Sequence, residues 1–117
     1  MKESPRLSSL VIYSTDVPKA LEYYTSLGIN FTEEKHGDGP VHYAAELGEG
    51  GVLIEIYPGD KPTRIGFQVD SVDDVVKELG EKEISPDRPT KDSPYGRFTT
   101  LKDPDGRTVE LRQPPTA

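Results

Sequence analysis

Apolar residues recur at helical spacing in two short segments of the chain. The first stripe comprises Val17, Ala20, Leu21 and Tyr24. The second stripe comprises Val72, Val75, Val76 and Leu79. Both stripes follow the i, i+3, i+4, i+7 pattern of a helix with one buried face. We therefore predict two helices, with Asp16 and Ser71 as their N-caps and Pro18 tolerated in the first turn of the first helix.

Alternating apolar and polar residues predict strands on either side of each helix. In the clearest case Ile65, Phe67 and Val69 alternate with polar or small residues. The strands predicted in the first half are 10–13, one around Ile29 and Phe31, 41–47 and 52–57. Those in the second half are 65–69, 97–102 and 108–112. Because segment 84–94 contains three prolines, we expect its strand to be irregular or at a sheet edge, and the segment to be a candidate lid.

The two halves match at a constant offset of 55 residues, which pairs Glu110 with Glu55 and Gly106 with Gly51. A gap-free internal repeat indicates duplication. We predict an α+β fold of two tandem βαβββ modules, related by a pseudo-twofold axis and forming a curved mixed sheet around a central groove. The expected organisation is one domain over 1–117, with module one at 7–58, a linker at 58–62 and module two at 63–113. The end of the chain, 113–117, is expected to be a loose tail.

Strand alternation also predicts which side chains face away from the helices. Residues 10, 12, 54, 56, 109 and 111 should pack beneath them. The opposite face should bring together Ser9, Glu55, Arg64 and Glu110 on one groove, which Tyr13, Tyr57 and Gln68 also line. The alternative is that these polar residues simply lie on a solvated sheet face.

The composition limits the classes of partner. A net charge of −7 and a pI near 4.8 argue against nucleic acid or an anionic membrane. The absence of cysteine excludes disulfides and thiolate metal sites. No long apolar run or signal-peptide pattern is present, so we expect a cytoplasmic location.

Several segments resemble the vicinal oxygen chelate superfamily, which comprises glyoxalase I, bleomycin and fosfomycin resistance proteins and extradiol dioxygenases. The resemblance rests on residues 15–24 with Leu27 and Gly28, on 93–96, on 103–106 and on 109–111, and it covers nearly the whole chain. It implies paired βαβββ modules and favours a homodimer that binds a small organic molecule.

In metal-dependent members of that superfamily the ligands are His or Gln on the first strand of a module and Glu on its last. By resemblance Glu55 and Glu110 occupy the two Glu positions, whereas Ser9 and Arg64 stand where histidines would be. Serine is a poor ligand and a guanidinium cannot coordinate a cation. We therefore expect no metal cofactor. The hypothesis is that Arg64 supplies the positive charge between the two carboxylates.

The two histidines match no ligand position of the superfamily. His36 lies in a polar turn and is expected to be solvated. The pattern around His42 leaves its face undecided, and a general-base role for it is an open alternative. Aromatic residues Tyr95 and Phe98 are further candidates for lining a groove.

Three functions remain open at this stage. The first is a metal-independent protein that binds a small organic molecule, as bleomycin resistance proteins sequester their antibiotic. The second is a lyase, isomerase or dioxygenase whose divalent metal is held by Glu55 and Glu110, with His42 as a possible third ligand. The third is an accessory domain that has lost ligand chemistry.

Overall fold

A computed structural model describes residues 4–115 of the chain. The contacts divide it into two compact units. The first unit is Ser9–Arg64, and the second contains the described residues from Ile65 onward together with residues 4–8. No helix of the described residues is long and apolar enough to cross a membrane.

The first unit is a βαβββ module with one helix on a mixed sheet. Its elements are β1 (Arg6–Ser14, of which residues 9–14 belong to this unit), α1 (Val17–Thr25), β2 (Thr32–Glu34), β3 (His42–Leu47) and β4 (Val52–Pro58). The strand order is β2-β3-β4-β1, with β1 parallel to β4 and the other pairs antiparallel. The Lys19 N–H donates to Asp16 Oδ1 at 3.1 Å, which confirms the predicted N-cap. Ile54 and Ile56 are buried, and α1 packs against their strand.

The second unit repeats this architecture. Its elements are β5 (Arg64–Gln68, of which residues 65–68 belong to this unit), α2 (Val72–Glu81), β6 (Lys91–Ser93), β7 (Gly96–Lys102) and β8 (Thr108–Gln113), in the sheet order β5-β8-β7-β6. Its core joins helix and sheet through Val69, Val72, Leu101 and Leu111, with Phe67, Val75, Val76, Leu79 and Val109 packed against them. The Asp74 N–H donates to Ser71 Oγ at 3.2 Å, as the predicted cap requires. The α+β class with tandem βαβββ modules is confirmed.

The repeat is not free of gaps, contrary to the sequence prediction. Ala44 lies opposite Glu55, whereas Thr100, 56 residues after Ala44, lies opposite Glu110. The hairpin between β7 and β8 is one residue longer than that between β3 and β4, because Leu47 pairs with Val52 but residue 102 pairs with residue 108. The constant offset therefore holds for the helices and for β1, β4, β5 and β8 but not for the antiparallel hairpins.

Two other local predictions were wrong. The second strand is Thr32–Glu34 rather than the segment around Ile29 and Phe31, because pairing with β3 begins only at Thr32. Gln113 is not part of a loose tail: it ends β8, and its Oε1 accepts the Val72 N–H at 2.7 Å. The remainder of the predicted tail lies partly outside the described residues.

The proline-rich segment 84–94 forms only a short edge strand, as expected. It is tied to β7 at two backbone oxygens: the Asp87 N–H donates to the Thr100 carbonyl at 2.8 Å, and Thr99 Oγ1 donates to the Arg88 carbonyl at 3.1 Å. Lys102 adds an ion pair to Asp87 at 3.2 Å. These contacts anchor the segment along the strand.

Candidate functional site

Strand register in the first unit brings a set of polar and aromatic side chains onto the sheet face opposite Ile54 and Ile56. Glu55 lies beside Val11 on β1 and Ala44 on β3, and Tyr57 lies beside Tyr13. At the outer edge Glu34 of β2 lies directly opposite His42 of β3. Because side chains alternate between sheet faces, these positions share one surface. Together with His36 in the following turn, they form the acid–histidine cluster, which consists of Glu34, His36, His42, Glu55 and Tyr57.

His42 is the buried centre of the acid–histidine cluster, with 1% of its surface exposed. Its ring stacks on Tyr57 with 4.2 Å between centroids and 8° between planes. Nδ1 lies 3.2 Å from the Pro40 carbonyl, which can only accept, so the proton of this contact is on Nδ1. Nε2 lies 3.4 Å from Glu34 Oε1 and 3.6 Å from Glu55 Oε2, yet makes no hydrogen bond to any residue that the structure describes.

Glu55 is a mostly buried carboxylate, with 16% of its side chain exposed. Burial is the largest influence on it and raises its pKa above the ordinary value of a glutamate. His42 opposes this effect and lowers the pKa, Glu34 raises it, and Arg64 lowers it. The carboxylate is therefore a better base than a solvated glutamate and a candidate for proton transfer or for cation binding.

Tyr13 on β1 extends the acid–histidine cluster from its member Tyr57 on β4. The rings of Tyr13 and Tyr57 lie 6.2 Å apart at 48°, and the Lys61 ammonium lies 5.8 Å from the Tyr13 ring. Burial, followed by the charge of Glu55, raises the pKa of the Tyr57 hydroxyl, which keeps it protonated and able to donate. The arrangement offers flat apolar surface next to hydrogen-bonding groups.

The edge of the cluster collects three groups that can coordinate a metal. Glu34, His36 and His42 each have a ligand atom within 4.8 Å of the others. The His36 and His42 rings lie 5.0 Å apart, and His36 Nε2 is 3.7 Å from Glu34 Oε1. Sequence reasoning did not assign Glu34 or His36 to a site, although the pattern Glu34-x-His36 on one side of a hairpin and His42 on the other is a usable signal.

The corresponding face of the second unit is arranged differently. Glu110 accepts a hydrogen bond from Arg112 Nε at 2.9 Å. The Arg112 guanidinium lies 4.7 Å from the Phe98 ring centroid and donates to Ser93 Oγ at 3.3 Å. Gln68 is opposite Arg112 on β5. The predicted site residue Glu110 therefore has an arginine partner two residues away that the sequence analysis did not assign.

The remaining predicted site residues are placed as follows. Ser9 is half-buried on β1, opposite Leu53. Arg64 is half-buried, and its positive charge lowers the pKa of Glu55. That Arg64 supplies the charge between the two carboxylates, and that both glutamates converge on one groove, stay predictions.

Two of the positions that the superfamily resemblance predicts as metal ligands are poor donors: Ser9 offers a weak donor and Arg64 offers none. Glu110, predicted as a ligand in the second unit, is engaged by a guanidinium.

Comparison with known proteins agrees with this architecture. Residues 6–111 match the sequence family described as glyoxalase/bleomycin resistance protein/dioxygenase superfamily. The chain belongs to that superfamily. No curated protein sequence matches it significantly.

Solved structures of the same fold include enzymes that act on coenzyme A esters. Methylmalonyl-CoA epimerase from Mycobacterium tuberculosis is 16% identical, with a TM-score of 0.69 over 95% of this chain and 89% of that one. The Streptomyces coelicolor epimerase, in complex with 2-nitronate-propionyl-CoA, is 17% identical, with a TM-score of 0.67 over 97% and 100%. A superfamily member from Vibrio splendidus 12B01 is 13% identical, with a TM-score of 0.64 over 96% and 100%. At these identities the likeness concerns the fold.

Proposed function

We propose that this protein binds a small organic molecule on the sheet face of the first unit that carries the acid–histidine cluster, without a metal at the positions that the superfamily uses. The observation that carries the proposal is that Tyr13, Tyr57, Glu55 and His42 share one face over three adjacent strands. Aromatic surface next to a few polar groups is typical of small-molecule sites.

The charges indicate the class of ligand. Two carboxylates, Glu34 and Glu55, approach the buried His42, and the pKa of Glu55 is raised by its burial. A ligand that donates a hydrogen bond or carries a positive charge would relieve the desolvation of Glu55. We therefore expect planar, basic molecules to bind better than planar acids of the same size.

The test is a thermal-shift screen of planar compounds with matched basic, neutral and acidic groups, followed by calorimetry of the best compound. A ligand at a hundredfold excess over its dissociation constant should add about 2.7 kcal/mol to the free energy of unfolding. Tyr13→Ala and Glu55→Gln should lose the response, whereas Tyr23→Ala, at an exposed tyrosine of α1, should keep it. A response that both site variants retain would place the ligand elsewhere and contradict the proposal.

A second candidate is an enzyme of the superfamily that moves a proton, such as an isomerase. It is favoured by the raised pKa of Glu55, which suits a general base. Because epimerases of this fold act on methylmalonyl-CoA, the assay is exchange of the substrate's α-proton in deuterated water, followed by NMR with and without added divalent metals. Exchange that Glu55→Gln abolishes would favour this candidate over simple binding.

A further inference from the structure

We infer that Glu34, His36 and His42 form a binding site for a divalent first-row transition metal ion on the β2–β3 hairpin. This site goes beyond the proposed function: it shares Glu34 and His42 with the face described there, but its argument rests on the spacing of the three donor groups. Its three residues are not among the four superfamily ligand positions, and they come from the end of β2, the following turn and the start of β3.

The spacing of the donor atoms fits such an ion. A tetrahedral zinc ion with bonds of about 2.0–2.1 Å holds its ligand atoms about 3.4 Å apart. Glu34 Oε1 lies 3.4 Å from His42 Nε2 and 3.7 Å from His36 Nε2. All three donor atoms are within 4.8 Å of one another, and the largely exposed His36 ring can move toward the other two without repacking the core.

The state of His42 is an independent reason to expect an ion. Its Nε2 is buried and finds no hydrogen bond within residues 4–115, although two carboxylate oxygens approach it. Nδ1 is occupied by the Pro40 carbonyl, which is the usual second contact of a metal-binding histidine, and Nε2 is the ring atom that faces the carboxylates. A cation among these groups would satisfy the nitrogen and neutralise the adjacent carboxylates together.

The donor set selects the class of ion. Two imidazoles and one carboxylate with open positions are typical of zinc, iron(II), cobalt(II) or nickel(II), whereas magnesium and calcium prefer oxygen ligands alone. Glu55 Oε2, 3.6 Å from the same nitrogen of His42, is close enough to act as a fourth ligand or to accept from a metal-bound water. The remaining positions would be open to solvent or to a ligand.

The test uses the full chain without a histidine tag, stripped with a chelator and titrated with cobalt(II). We expect one equivalent to bind with visible d–d absorption, and zinc to displace it while magnesium does not. Glu34→Gln and His36→Ala should each weaken binding by about tenfold or more. Both residues are partly or largely exposed, so the variants should fold, which circular dichroism checks.

The matched control is Asp38→Asn, which removes a carboxylate from the exposed turn of the same hairpin outside the donor set. It should bind cobalt as the unchanged chain does. The inference is overturned if the unchanged chain binds no stoichiometric cobalt or zinc. It is also overturned if Glu34→Gln and His36→Ala leave the affinity unchanged, or if Asp38→Asn weakens binding as much as they do.

Discussion

The two units have the same apolar sheet face beneath the helix, but the polar groups on the opposite sheet face differ between them. In the first unit Glu55 approaches a buried histidine that stacks on Tyr57. In the second unit the matching Glu110 is held by Arg112, whose guanidinium lies over Phe98. Glu110 therefore has an arginine partner on its own strand. The charge of Glu55 is instead offset by His42 on a neighbouring strand and by Arg64.

This contrast shows that the sheet face opposite the helix is the part of the module whose polar residues differ between the two units. The helix-facing residues must fill a core in both units, so their apolar pattern persists. The opposite face carries no such packing requirement for α1 or α2. The second unit carries an ion pair and a cation–π contact there, and the first carries two carboxylates around a buried histidine whose Nε2 makes no hydrogen bond to a described residue.

The largest effect should come from His42, whose side chain is fully enclosed. His42→Ala should lower the free energy of unfolding by about 2–4 kcal/mol, because it leaves a cavity against Tyr57. His42→Phe, which imitates the aromatic position of the second unit, should recover most of that loss. Urea denaturation measures both, and a change below about 0.5 kcal/mol for the alanine variant would show that the ring is not packed as described.

Removal of the ion pair in the second unit should have a smaller effect. Glu110→Gln should lower the free energy of unfolding by about 1–2 kcal/mol. This lies between the values for exposed and buried ion pairs, because the side chains of Glu110 and Arg112 are 15% and 28% exposed. A double-mutant cycle with Arg112→Met isolates the pair from other contacts of each residue. Additive effects in that cycle would mean that the pair contributes nothing beyond its members.

The equivalent substitution in the first unit should act in the opposite direction. The raised pKa of Glu55 means that the folded state holds its proton more tightly than the unfolded state. Its contribution to stability is fully present below the unfolded pKa, about 4.3, and is lost as pH rises through the folded pKa. As pH rises, the free energy of unfolding of Glu55→Gln should therefore increase relative to that of the unchanged chain. This increase should be smaller than the decrease expected for Glu110→Gln. Unfolding curves across this range check the sign, and a growing deficit at higher pH would contradict it.

The smallest effect concerns Arg64, whose charge lowers the pKa of Glu55. Arg64→Gln should raise that pKa further. The measurement is an NMR titration of the Glu55 carboxyl carbon. Lys61→Gln is the charge-matched control, since the groups that shift the pKa of Glu55 do not include Lys61, and an equal response in both variants would point to net charge alone.

Local patterns in the chain were sufficient to predict both helices, their caps and the face on which Glu55 and Tyr57 lie. Those features depend on residues within a few positions of each other. The strand predicted around Ile29 and Phe31 was wrong because it rested on apolar alternation alone, whereas pairing with β3 begins at Thr32. The constant offset of 55 likewise missed the extra residue in the second hairpin, since register depends on which residues pair across it.

The sequence by itself determined the duplicated architecture, because two apolar stripes and their matching strand faces can be buried only by one helix on one sheet per module. The tertiary structure decided which charged groups meet Glu55. His42 reaches Glu55 from a neighbouring strand and Glu34 reaches His42 across a hairpin. Strand pairing determines which groups lie next to Glu55 and His42, and the internal repeat of the sequence does not specify that pairing.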